Sequence, residues 1–165
     1  MNNQLQNDQV CCPQFDVARW DGKEFNWENK PFIKESIPTF FHMPLPSMIG
    51  SKITKMWKMV EDAKMVAEDK GSVLVLFSDP TAFRSDIHIS TTGVVPDAKN
   101  VTLSGTFVAK VFDGGYNSIP KFIGQMNQYL AGQNKKAKEY YIHYAYCPKC
   151  AQKFGNNYMI LFARV

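Results

Sequence analysis

Residues 107–146 read FVAKVFDGGYNSIPKFIGQMNQYLAGQNKKAKEYYIHYAY, and the order of elements in that stretch decides the fold. Phe107 to Phe112 has the β-branched and aromatic content of a strand. Asp113-Gly114-Gly115 ends it, because adjacent glycines accept the positive φ of a sharp turn. Asn117 or Ser118 offers a side-chain oxygen to the first amides of a helix, and Pro120 suits a first turn, where no backbone donor is missed. Ile119, Phe122, Ile123, Met126, Tyr129 and Leu130 recur at helical spacing and form one apolar face, which must lie on a sheet. Glu139 to Tyr144 reads as a second strand, and its two-residue period puts Glu139, Tyr141 and His143 on one face. If the helix covers that face, a carboxylate is held among rings, which is costly unless it is protonated, paired or met by a ligand. Glu139 therefore either stands at a rim in water or lines a pocket.

The preceding stretch repeats this plan. Phe32 to Ile37 and Thr39 to His42 read as a strand interrupted by Pro38, which suggests a bulge or an edge. Ile49, Ile53, Met56, Trp57, Val60 and Ala63 make a helical face. Val73 to Phe77 is a continuous apolar run, as in a strand buried on both sides; Ser78-Asp79-Pro80 turns the chain, and Ser85 to Ser90 alternates like a strand with one wet face. The order strand, helix, strand, strand thus occurs over about 32–98 and again over about 102–165. The expected fold is α+β, with a curved antiparallel sheet and two helices on one face.

The Asp113-Gly114-Gly115-Tyr116 turn, the amphipathic helix, the strand Glu139-Tyr140-Tyr141-Ile142 and the Asp79-Pro80 turn together resemble the gyrase-inhibitor-like (GyrI-like) small-molecule-binding domains. These include bacterial effector-binding domains and share the SOUL-like duplicated module. The resemblance implies that Glu139, with aromatic neighbours, meets hydrophobic compounds, cationic ones among them. Cys-Cys-Pro-x-Phe-Asp at 11–16, Trp20-Asp21 and Cys-Pro-Lys-Cys-Ala at 147–151 further resemble a narrower set of small stand-alone prokaryotic proteins with this fold, often labelled hydrolases. That resemblance spans nearly the whole chain.

Residues 1–31 read as an arm packing on the 32–165 domain. Phe15, Trp20, Phe25 and Trp27 stand among acidic residues, too polar for a core of their own and too aromatic to float free. They are expected to be packing anchors, with a lid over the pocket as the smaller alternative. With 165 residues, 45% of them hydrophobic, the chain can bury one normal core, and a net charge of +4 without a basic stripe argues against nucleic-acid binding. No stretch approaches the roughly eighteen apolar residues of a membrane span, and the polar start lacks a secretion signal, so a cytoplasmic location is expected, with reduced cysteines.

Those cysteines carry three readings. Cys147-Pro148-Lys149-Cys150 has the spacing with which a turn presents two thiolates to zinc, and Cys11 and Cys12 can complete a structural site, with His143 or Asp16 as substitutes for one of them. A redox couple at Cys147 and Cys150 ranks behind, because the favourable context is a helix N-terminus and this place reads as a strand end. The plain alternative is local packing.

No nucleophile elbow, phosphate loop, dinucleotide fingerprint or zinc-protease helix is present. The function that the gyrase-inhibitor-like resemblance implies is binding of hydrophobic small molecules, cationic ones among them, by Glu139, Tyr141, His143, Trp57, Phe107 and Tyr116, with no cofactor required. One alternative is hydrolysis of reactive small molecules with Glu139 as general base. Another is a protein-interaction, inhibitor-type module.

Overall fold

A computed structural model describes residues 12–165. Alternation of side chains along each strand sorts the residues into two faces, and each face carries a buried apolar cluster. The elements run α1 (Val17–Trp20), β1 (Lys23–Phe40), β2 (Met43–Pro44), α2 (Pro46–Asp62), β3 (Val75–Thr81), β4 (Arg84–Ser90), β5 (Asn100–Asp113), α3 (Ile119–Ala131), β6 (Glu139–Tyr144), α4 (Pro148–Phe154) and β7 (Tyr158–Arg164). The antiparallel sheet has the order β2-β1-β4-β3-β6-β7-β5, and β1 also pairs with β5, so the sheet closes on itself. The fold is α+β. Each half contributes three strands in equivalent order, β1-β4-β3 and β5-β7-β6, and the halves join at β1–β5 and β3–β6.

The outward face of each half meets one helix. Met56 and Val60 of α2 pack with Ile33, Ile37, Ile87 and Ile89. Met126 and Leu130 of α3 pack with Val108, Leu161 and Ala163, and Phe122 stacks on Phe112 at 4.6 Å. The inward face carries Trp20, Phe32, Leu74, Leu76, Phe107, Ala109, Tyr141, Ile160 and Phe162.

Four sequence expectations change. The arm, for which the sequence allows a short strand, supplies from Lys23 to Pro31 the first half of the long strand β1, and these residues pair with β5 across a bulge between Trp27 and Lys30. Asp79-Pro80 lies inside β3, and the chain turns at Ala82-Phe83. β4 has no wet face: Ile87 and Ile89 meet α2, while Asp86, His88 and Ser90 point inward and are buried too. Finally, Cys147 to Cys150 is not a strand end, since Cys147 caps α4 and Cys150 lies within it, with Gly155 closing that helix at φ 74°.

Candidate functional site

Register builds the site. Phe25 pairs with Phe107, Phe107 with Arg164, and Arg164 with Glu139, so these four residues form one row across β1, β5, β7 and β6. Because paired residues share a face, the row continues the inward aromatic layer and ends on two charges. Glu139 lies on the face opposite Tyr140 and Ile142, the residues that pack towards α3. The condition that α3 covers Glu139 therefore fails.

The Glu139 side chain is 50% exposed and holds two protein donors on the same oxygen. The Tyr141 hydroxyl donates to Oε2 at 3.1 Å, and Arg164 Nη1 donates to it at 3.2 Å. Among the described residues Oε1 has no protein donor. Tyr141 is buried, and its phenol is pushed up to about 12, first by burial and then by the neighbouring carboxylate. It stays protonated at neutral pH, which fixes it as the donor. Behind it the rings of Phe107 and His88 lie 6.0 and 5.8 Å away, and Trp27 sits 4.2 Å from Phe107.

Arg164 reaches Glu139 because Gly105 makes room. Gly105 pairs with Trp27, has φ 134°, and a methyl group on it would stand 3.0 Å from Arg164 Nε. Lys30 Nζ lies over the Trp27 ring at 5.6 Å.

A second charged group sits further along the inward face. The side chain of Asp86 is 5% exposed and is met by Lys34 Nζ at 2.7 Å, Ser36 Oγ at 2.6 Å and Arg84 Nε at 3.3 Å. Burial opposes its charge, but the hydrogen bonds from Lys34 and Ser36 and the charges of Lys34 and Arg84 outweigh that, so its carboxyl stays below the ordinary value. His88 beside it is held down to about 4, first by burial and then by the Lys34 charge, against the opposite pull of Asp86 and Glu139. It is neutral, and its buried Nδ1 has no hydrogen-bond partner. Such an orphan is uncommon in a buried layer. A hollow of about 310 Å³ is lined by Pro31, Phe32, Gly93, Val94, Asn100, Val101 and Thr102, and Phe32 joins it to Trp27 and His88 at ring distances of 6.0 and 6.1 Å. Glu139 is not among its lining residues.

The expected ligand set divides. Glu139, Tyr141 and Phe107 come together. His143 shares their strand face but enters the seam between β3 and β6, where Nδ1 accepts the Val75 N–H at 3.1 Å, and burial holds its pKa down to about 4. Trp57 is on α2, packed in the outer cluster across the sheet from Glu139. Tyr116 is 50% exposed, and its hydroxyl donates to the His42 carbonyl. Trp20, Phe25 and Trp27 are packing anchors, in contact with Phe162. The sequence reading missed Arg164, Lys34, Ser36, Asp86 and His88; the polar side of the Ser85–Ser90 alternation was the signal for the last two.

At the opposite end of β6, Cys12, Cys147 and Cys150 place their sulfurs within 4.8 Å of one another. His143 and Asp16 are not in this group: His143 is engaged by Val75, and Asp16 accepts from the Ala18 N–H to cap α1. Cys11 lies outside the described residues.

The model of a family described as bacterial hydrolase matches residues 2–165. The chain belongs to this bacterial hydrolase family. No protein of curated function matches it. A solved structure of an uncharacterized conserved protein from Listeria innocua superposes with a TM-score of 0.60 at 10% identity, over 86% of this chain and 90% of that one. A hydrolase from Listeria innocua gives 0.59 at 13% identity, over the same shares. At these identities the likeness to the solved structures concerns the fold. No helix among the described residues is long and apolar enough to cross a membrane.

Proposed function

We propose that this member of the bacterial hydrolase family hydrolyses a small, flat, hydrophobic electrophile, with Glu139 as the base that activates water. The observation that carries the reading is the fixed carboxylate: Tyr141 and Arg164 both hold Oε2, which leaves Oε1 to orient a water at the edge of an aromatic layer. A general base so placed contributes roughly 10²–10⁴-fold. Tyr141, with Phe107 and Trp27 behind it, offers flat surface for stacking. Because Arg164 already supplies a counter-charge, a neutral substrate suits the site better than a cationic one. The doubled strand, helix, strand, strand order and the ringed inner face support a gyrase-inhibitor-like module, and reactive, strained-ring compounds are the substrate class that this module suggests.

The test is turnover of activated aryl esters and of aromatic compounds bearing strained rings, followed by chromatography of the products. Glu139→Gln should lower turnover by ~10²-fold or more while affinity survives. Full turnover by that variant removes Glu139 as the base. Binding without turnover in both forms would leave the pure ligand-binding reading.

One observation favours a second reading, the interaction module. Phe40, Phe41, Met43, Leu45 and Phe83 are all exposed around the β1–β2 turn and the neighbouring β3–β4 turn. Exposed apolar clusters of this kind mark interaction surfaces. This reading predicts a stable protein complex that Glu139→Gln leaves intact and Phe41→Ser with Phe83→Ser disrupts.

A further inference from the structure

Three of the four cysteines converge from the two ends of the chain. Cys12 precedes α1, while Cys147 caps α4 and Cys150 lies within it. Their sulfurs fall within 4.8 Å of one another, Cys150 is buried, and the Cys147 N–H donates to Cys12 Sγ at 3.4 Å. In a tetrahedral site with Zn–S near 2.3 Å, neighbouring sulfurs lie about 3.8 Å apart, so each sulfur needs to move by only ~1 Å to meet a common ion. A disulfide would engage only two of the three sulfurs, whereas a single ion engages all three.

We propose that Cys12, Cys147 and Cys150 bind one thiophilic divalent cation, zinc by preference, as a staple between the start of the chain and the α4 turn. Binding exchanges three S–H protons, released to solvent, for three S–metal bonds. No electron is transferred. The Cys147 amide bond to Cys12 Sγ stabilises a thiolate there, and the fourth tetrahedral position falls to water or another donor. The ring contacts beside the site extend the staple. Phe15 donates its N–H to the buried Tyr146 hydroxyl at 2.9 Å and packs on Tyr158, and Tyr146 stacks on Phe154 of α4. The same segment leads through Trp20 and Phe25 to the aromatic layer behind Glu139, so the ion holds the part of the chain that floors the candidate site without taking part in its chemistry.

The test uses the full chain, expressed with zinc supplied and exchanged into metal-free buffer containing a phosphine reductant. About one zinc per chain is expected, with three thiols protected from alkylation until a chelator is added. Cobalt should replace zinc and show the intense sulfur-to-metal band of a thiolate site, and the chelator should lower Tm by several degrees. Cys12→Ser, which changes a half-buried residue near the chain start, should lose the metal and most of the band while remaining folded. Cys150→Ser alters a buried position, so its far-UV dichroism is read first. Chains that hold no zinc and give no cobalt–sulfur band overturn the proposal, as does mass evidence of a disulfide among these cysteines under reducing conditions. The outcome does not depend on whether Glu139 proves to be a base.

Discussion

Arg164 and Gly105 show how much of the candidate site rests on single atoms. Gly105 has a backbone conformation that L side chains rarely adopt, and the Arg164 side chain fills the place of its missing Cβ. Gly105→Ala should therefore destabilise the protein by about 1–2 kcal/mol in urea melts, through strain and displacement of the arginine. It should also loosen the Glu139 ion pair. At Asp86, substitution by Asn removes the charge that compensates Lys34, whose side chain keeps 22% exposure. The expected cost is about 2–3 kcal/mol, below that of a fully enclosed pair because some water still reaches the lysine. These residues were hard to read from sequence for a specific reason. Alternation of Asp86, His88 and Ser90 with Ile87 and Ile89 gives the period of a strand, but a strand inside a closed sheet has no face reserved for bulk water. Glu139 and Tyr141 could be placed on one face from spacing alone, whereas the partnership with Arg164 depends on the β6–β7 register, which no local pattern encodes.

Among the elements, α3 was legible to within a residue or two because Ile119, Phe122, Ile123, Met126 and Leu130 repeat over more than three turns. The seven residues of α4 are too few to establish a period, and Pro148 at its first turn is the single start signal that its sequence carries. Leu45, the N-cap position just before α2, is exposed, and no side chain caps the first amides of that helix. Leu45→Asp should supply a cap and a favourable charge at the N-terminus, raising stability by ~0.5–1 kcal/mol, or about 1–4 °C in Tm by calorimetry. Met126→Ala should cost about 2–4 kcal/mol, because this side chain is fully buried between α3 and the sheet.

For the whole molecule, acid is the expected weakness. His88 and His143 both have native values of about 4 against an ordinary 6.5. The unfolded chain thus binds more protons between those values, and stability that is fully present above about 6.5 is lost as pH falls towards 4. Each histidine accounts for up to about 3 kcal/mol of that loss. Asp86, with its lowered value, adds to the loss below its ordinary 3.8. Urea midpoints should hold level from pH 7.5 to about 6.5 and fall from there to pH 4.5. His88→Phe should flatten part of the slope, at the price of filling the space around the orphan nitrogen with a bulkier ring.

The first strand pairs with β4 on one side and with β5 on the other, although some 80 positions separate Phe25 from Phe107. Closure of the sheet therefore waits on encounters between distant parts of the chain, each opposed by the entropy of a long loop, and folding on the millisecond-to-second scale follows. Closure pairs β1 with β5, so growth of fibrils by strand addition finds fewer open edges to start from among the described strands. Amide hydrogens in the middle of β1 and β5 should be the last to exchange with deuterium, reporting the global opening rather than local breathing.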